Sequence, residues 1–490
     1  AGAAAHMDVK ALELTLEGGE FFQVGAAVVG RGVHLLQGTE ETAPAAVFHL
    51  LGGEMRKATA ETPLSPLWQD IYGFFDENSQ WQKRLSLLKQ GIGKTAKPER
   101  LSPKTAKALY GKNIFSSVSR LERFAGCPFS FFAEYGLKAE ERRLYQLNTP
   151  DLGSLFHEVL ELFSNKLEQD NLPWTSLTKE ETTARIHAAV EDAAPRLGNR
   201  ILLDSAANQY LIRRLKRIST RAAWTLVQHL QQGDFVPAGY EVGFGAHEAL
   251  PPIVIRLQDG GSLILNGKID RVDLLDANGT RYVKIIDYKS GNKTFHFQDI
   301  YYGLQLQLLV YLDAYLKYYK KTGASFKPGG VFYFRITDPT LALDEELSAE
   351  TIEKILYEKM RMSGLLLQED VLIHGLDHSL AESRSSAIVP VGYTKKGDPT
   401  AASNLATEEQ YAAILDFVAT RTQELGDAMK AGIITPAPYR DGQRTPCSYC
   451  SYRSLCRHSY GEAPRWRKLK KIDKADFWES ITPKQPPETE

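Results

Sequence analysis

A chain of 490 residues with a formal net charge of −1 and 43% hydrophobic residues has the length and composition of a globular protein of roughly two to four domains, at about 150 residues each. The balanced charge excludes a general polycation, so any nucleic-acid partner has to be met by a local basic patch. No apolar run approaches the roughly 18 residues of a membrane span and no secretory leader is visible. Four cysteines are too few for a secreted disulfide scaffold, so a reduced cytoplasmic setting without membrane contact is expected, where clustered cysteines mean metal.

In chain order, Ala1–Met7 reads as a tag remnant. Residues 8–110 are broken into short pieces by Gly18-Gly19, Gly52-Gly53 and Pro63–Pro66, and Pro66–Phe75 has the pattern of an amphipathic helix. The run Gly91-Ile92-Gly93-Lys94-Thr95 lacks phosphate-loop spacing, since Leu88 stands where the first glycine is required, and reads as a polar linker. From Ser116 the chain grows denser. Ser119 or a neighbouring serine caps a helix that runs to Cys127-Pro128, a second helix spans Leu152–Glu168, and a third, basic one spans Ala206–Gln232. Ser262–Leu275 and Arg281–Lys289 read as a hairpin closed by Asp276-Ala277-Asn278-Gly279, because Asn-Gly accepts positive φ. A long helix over Gln298–Lys320 and a strand over Gly329–Phe334 follow. The remainder is expected to be helical, with an acidic-to-polar insertion around 340–408. The order implies a mixed α/β core.

The chemical signal lies in Ile286-Asp287-Tyr288-Lys289 and, on the partner strand, Gly267-Lys268-Ile269-Asp270. Strand side chains repeat every two residues, so Asp287 and Lys289 share a face with Val283 and Ile285. A charged pair ending an apolar face suits a metal and a polarised water, with Asp270 as second carboxylate. Hard divalent cations take oxygen ligands and leave room for a phosphate oxygen, while Lys289 orients the nucleophile or meets developing charge. His157 follows Gly153 by one helical turn, on a face the glycine leaves open. Glu241 is a possible further acid. Gln307 and Tyr311, four apart on one helix face, either touch DNA backbone, buttress the site, or pack in the core with polar tips. Arg213, Arg214 and Arg217, with Lys216 and Arg221, make a basic helix. Arg465 to Lys474 makes a basic segment containing Trp466. Both suit phosphates, and both equally suit a solvated surface. Finally, Cys447 and Cys450 stand at C-x2-C spacing with Cys456 five residues further on. Cys127, far upstream, can complete a tetrahedral zinc site or a cubane cluster, and spacing alone leaves the two open.

Ser116–Glu122 through Cys127–Phe129, Asp151–His157, Gly267–Asp273, Ile286–Ser290, Leu306–Tyr311 and the final C-x2-C-x5-C stand in consistent order over about residues 111–460. Together they resemble the iron–sulfur RecB-like nuclease domains of the PD-(D/E)XK class, in particular the C-terminal part of AddB (RexB)-type subunits of bacterial AddAB helicase–nucleases. The resemblance implies a restriction-endonuclease-like α/β core, a central mixed sheet flanked by helices, with helical insertions and an iron–sulfur staple. It implies Mg²⁺ or Mn²⁺ on His157, Asp270 and Asp287, with Lys289 as catalytic lysine. It also implies a 4Fe-4S cluster on Cys127, Cys447, Cys450 and Cys456. The expected substrate is DNA, a single strand threaded from a duplex end, specifically the 5′-terminated strand, and the expected partner is an AddA-type helicase–nuclease subunit. On this view 8–110 is the residue of a preceding helicase-like region plus linker, 111–460 the nuclease domain and 461–490 a basic tail. A catalytically idle DNA-end-binding module with structural zinc is the alternative. The intact Asp270, Asp287 and Lys289 weigh against it.

Overall fold

The structure is a computed structural model and describes residues 10–15, 21–29, 32–35, 42–58, 62–92, 100–140, 149–196, 206–341, 347–456, 458 and 466–482. The expected tag remnant, Gly93-Lys94-Thr95 and Arg465 lie outside the described residues. The chain forms two compact units, one drawn from Ala1–Glu99 and Thr435–Lys468, the other from Arg100–Ile434 and Leu469–Glu490.

In the first unit, strands Lys10–Thr15, Phe21–Val29 and Gly32–Leu35 pair as an antiparallel meander. Helices Thr42–Lys57, Pro66–Glu77 and Ser79–Ile92 follow, and Val47, Leu51, Ile71, Phe75 and Leu85 make a small core between them. The expected helix begins at Pro66, whose missing N–H costs nothing in a first turn. Later in the same unit come a single turn over Pro446–Tyr449, a short helix over Arg453–Cys456, and Tyr439–Arg440 paired with Arg467–Lys468.

The elements of the second unit that matter here are β1 (Asn113–Ser116), α1 (Val118–Gly126), α2 (Thr149–Gln169), α3 (Lys179–Ala193), α4 (Ala206–Gln231), β2 (Val236–Phe244), β3 (Ile253–Arg256), β4 (Ser262–Leu265), β5 (Gly267–Ala277), β6 (Thr280–Lys289), α5 (Phe297–Tyr301), α6 (Gln307–Lys321), β7 (Lys327–Arg335), α7 (Ala349–Lys359), β8 (Ser363–Leu367), β9 (Leu405–Ala406) and α8 (Glu408–Lys430). Six strands form a mixed sheet in the order β9-β8-β7-β6-β5-β2. The β6–β7 and β8–β9 pairs are parallel; the others are antiparallel. A central strand covered on both faces reads as a near-continuous apolar run, and β6 is buried from Tyr282 through Tyr288. On one face the ring of His229 in α4 meets Phe334 at 6.0 Å; on the other, Tyr311 in α6 meets Phe244 at 5.5 Å. Helices thus flank a mixed sheet, as the resemblance implied. Among the described residues no helix is long and apolar enough to cross a membrane.

The β5–β6 hairpin closes through Asn278 (φ 50°) and Gly279 (φ 76°), both in the left-handed region that a type I′ turn demands. Three expectations need correction. Ser262–Leu275 is two strands, because the chain leaves the three-stranded sheet β1-β4-β3 at Asn266, whose amide donates to Ser116 O at 3.0 Å, before β5 joins the main sheet. The long helix is interrupted between α5 and α6. Gly303 adopts φ 73° there, and the side chain of Gln305 takes the amide of His296 (2.8 Å) and bonds Thr294 O (2.7 Å). The insertion around 340–408 supplies two sheet strands, β8 and β9. A five-residue apolar run such as Ser363–Leu367 has no periodicity that separates strand from helix.

Candidate active site

The β5–β6 ladder runs from Ala277–Thr280 to Arg271–Ile286 and stops there. Continued by one position, the register sets Asp270 opposite Asp287. The β2–β5 pairs Tyr240–Arg271 and Val242–Ile269 set Glu241 opposite Asp270. Directly opposed residues share a face, so three carboxylates stand in a row across three strands. The ladder ends because a side chain takes over: Asp270 Oδ2 accepts the backbone amide of Tyr288 at 2.6 Å. Beyond this point β5 turns away along β2. Gly267 allows it, since a Cβ there would fall on the Tyr311 hydroxyl.

Helix α2 brings His157 to this open end. Its Nδ1 lies 3.3 Å from Asp270 Oδ2 and 4.0 Å from Glu241 Oε1. Gly153, one turn earlier, lets the helix approach Ser290, whose Oγ would lie 3.1 Å from a Cβ at that position. Lys289 is ion-paired with Asp287, and its Nζ donates to Gln307 Oε1 at 3.4 Å. The structure therefore brings together His157, Asp270, Asp287, Lys289 and Gln307. Tyr311 is buried beside them, with its hydroxyl at Gly267. Arg217 and Arg221 in α4 both pair with Asp338, at 2.7 and 3.1 Å, just past the end of β7 that lies against Lys289. Arg213 and Arg214 are on the same helix. In the first unit Cys450 and Cys456 lie close enough to Cys447 to act on its ionisation. Burial raises Cys447, and the other two sulfurs raise it further. Cys127, in the second unit, is buried at the end of α1.

Electrostatics mark the carboxylate row. Burial and the neighbouring Asp270 push Asp287 up to about 6, against the pull of Lys289. Burial, Asp270 and Glu161 push Glu241 up to about 7. Burial pulls His157 down, but the hydrogen bond and charge of Asp270 outweigh it and leave the imidazole raised. On the opposite sheet face Arg271, Asp273 and Lys284 form a fully buried ionic network, with Arg271 Nε 2.6 Å and Lys284 Nζ 2.9 Å from the Asp273 carboxylate. That network fixes the β5–β6 pairing immediately behind the site. Glu241 carries the weakest signal in the sequence. Its alternation with Tyr240 and Val242 gives no warning, and it comes beside Asp270 through the β2–β5 register and a left-handed backbone at Glu241 itself (φ 46°).

The row fits a hard divalent cation. His157, Glu241 and Asp270 offer ligand atoms within 4.8 Å of one another, and Glu241 and Asp287, whose carboxyls are pushed up, favour protons that a cation would displace. Without a cation, the folded state keeps protons that the unfolded chain has released. Stability therefore falls as pH rises from the ordinary carboxylate range through about 6 and about 7. A cation favours the ionised forms and opposes that loss. The melting-temperature gain from Mg²⁺ over EDTA is expected to be small below pH about 5.5 and to reach several degrees above pH about 7.5. A gain that does not change with pH would separate these carboxylates from cation binding.

A mixed sheet whose splayed strand pair presents one aspartate on the first strand and Asp-x-Lys on the second is the arrangement of a metal-dependent phosphodiesterase. Residues 116–457 match the family described as the PD-(D/E)XK nuclease superfamily, and the chain belongs to that superfamily. Residues 42–91 match the fifth domain of the ATP-dependent helicase/deoxyribonuclease AddB. Among curated relatives, an ATP-dependent helicase/deoxyribonuclease subunit from Alkaliphilus oremlandii is 39% identical over 92% of this chain and 39% of its own length. Its namesake from Alkaliphilus metalliredigens is 40% identical over 87% of this chain and 37% of its own length. The one from Anoxybacillus flavithermus is 36% identical over 84% of this chain and 36% of its own length. The chain thus spans less than two-fifths of the length of these relatives.

Proposed function

We propose that this chain is the nuclease part of a helicase–nuclease subunit. It would be a Mg²⁺- or Mn²⁺-dependent deoxyribonuclease that hydrolyses phosphodiester bonds as double-strand-break ends are processed for recombination. Its substrate would be a single strand threaded from a duplex end, the 5′-terminated one, and its partner an AddA-type subunit. The observation that carries the reading is the convergence of His157, Asp270, Asp287 and Lys289 at the splayed end of β5 and β6. The names of the relatives agree with it.

His157, Asp270 and Asp287 would hold the cation, which when bound supplies Lewis-acid polarisation of the phosphoryl group. Asp287 and Gln307 hold the Lys289 ammonium where charge develops on the phosphate or where the attacking water must be oriented. Burial lowers that ammonium but Asp287 raises it by more, so Lys289 stays charged at working pH. The second proposed group is a 4Fe-4S cluster on Cys127, Cys447, Cys450 and Cys456. Four sulfur donors, three of them in one short segment, suit it. The test of the reading is digestion of end-labelled single- and double-stranded DNA by this chain, with and without Mg²⁺. Cleavage unaffected by EDTA would overturn it.

The basic helix carries a separate expectation. Phosphate contacts release counterions, so binding weakens with salt by a slope of about 0.9 per phosphate neutralised. Reversing charge at Arg213, Arg214 and Arg217 is expected to flatten the slope by about two. A titration showing the wild-type slope would remove α4 from the DNA path.

A further inference from the structure

Helix α6 begins without a cap of its own, since Leu306 at the cap position has no side-chain acceptor. The first amides of a helix lack intrahelical partners and carry partial positive charge, so an acceptor must come from elsewhere. Here it comes from α1. Glu122 Oε1 accepts the amides of Leu306 (2.7 Å) and Gln307 (3.0 Å), and Oε2 accepts Lys293 Nζ (3.1 Å). The side chain is only 12% exposed, so water is a poor substitute for these bonds. Gln307, the first residue of α6, is also the residue whose amide oxygen receives Lys289 Nζ. The contacts therefore run without a gap from α1 through Glu122, the first turn of α6 and Gln307 to Lys289, and on to Asp287. Lys293 and Lys289 both stand over the ring of Tyr333, at 5.3 and 5.9 Å. Glu122 also gives Lys293 a counter-charge.

We propose that Glu122 is a positioning residue of the nuclease centre: it fixes the first turn of α6 and, through Gln307, sets the place of the Lys289 ammonium. The proposal rests on the reading of Lys289 as the catalytic lysine.

The test is Mg²⁺-dependent cleavage of end-labelled DNA, with kcat, KM and thermal melting measured for Glu122→Ala, Glu122→Gln, Glu122→Asp, Gln307→Ala, the Glu122→Ala/Gln307→Ala double variant and Lys289→Ala. Displacing a reacting group by about 1 Å costs up to about 100-fold, so Glu122→Ala is expected to lower kcat by about 10- to 100-fold with KM nearly unchanged. Glu122→Gln, whose amide oxygen still accepts both backbone amides, is expected to recover most of the loss. Glu122→Asp, which keeps the charge but withdraws the oxygens, is expected to recover less. On the Gln307→Ala background, Glu122→Ala is expected to cost at most about twofold more, because the two act in one chain. An equal cost on both backgrounds overturns the proposal, as does cleavage that falls only in step with the folded fraction. If Glu122→Ala does not fold, the comparison of the Gln and Asp variants decides: Asp faster than Gln would make charge and not the cap the cause, and overturn it. Full cleavage by Lys289→Ala would instead overturn the reading of the site. An inactive Lys289→Ala beside a Glu122→Ala variant of wild-type rate overturns the positioning role alone.

Discussion

Replacing Asp287 by alanine is expected to lower DNA cleavage by on the order of 10³-fold or more while the protein stays folded and binds DNA. Asp287 is 3% exposed, lies opposite Asp270 by register and holds the Lys289 ammonium. Its removal takes away a proposed cation ligand and the lysine's counter-charge in one step. Stability should change little, because opposing effects are lost together: burial of the carboxylate and repulsion from Asp270, which push it up to about 6, and attraction to Lys289. Asp270→Ala and Lys289→Ala should match it in cleavage. Purified Asp287→Ala that cleaves within a few-fold of wild type would sink the assignment of the site. A variant that also melts far below wild type would move Asp287 from chemistry to structure.

The second large effect is expected at the cysteines. Cys450→Ala should lose iron and the broad absorption near about 400 nm, melt at a lower temperature, and lose cleavage as a consequence of unfolding. The local structure gives the reason. Neither the turn Pro446–Tyr449 nor the helix Arg453–Cys456 buries a residue, and between them Tyr452 is the one buried side chain, so hydrophobic packing holds this segment at a single point. Tyr449 is 96% exposed, and burial together with the neighbouring sulfurs raises Cys447. A thiol whose ionisation burial and neighbouring sulfurs disfavour is stabilised as thiolate by a metal centre. Phosphodiester hydrolysis moves no electrons, so the proposed cluster need not take part in the reaction. Iron loss with unchanged melting and unchanged cleavage would refute the structural role. A surviving fold that fails only to bind DNA would place the cysteine segment on the DNA-contacting surface. Zinc in place of iron, with no absorption near about 400 nm, would favour the zinc alternative.

By itself the sequence determined the elements whose signals are local. The Asn278-Gly279 turn, the apolar run of β6, and the helices α2 and α4 follow from turn chemistry and periodicity that act over a few residues, and they stand where those signals put them. Asp-x-Lys and the Asp270 strand were legible for the same reason: a charged pair at the end of an apolar strand is anomalous wherever it occurs. What only the tertiary structure decided depends on partners distant in the chain. The break of α5 from α6 rests on Gln305 bonding across to Thr294 and His296. Strands β8 and β9 exist because the sheet edge accepts them, not because of any pattern in 340–408. Glu241 joins the carboxylate row through the β2–β5 register and its own left-handed backbone, and Glu122 reaches Gln307 from 185 positions away. Side-chain type and spacing specify what a residue can do. Strand register and helix docking, which hydrophobic burial of whole elements sets, decide which residues meet.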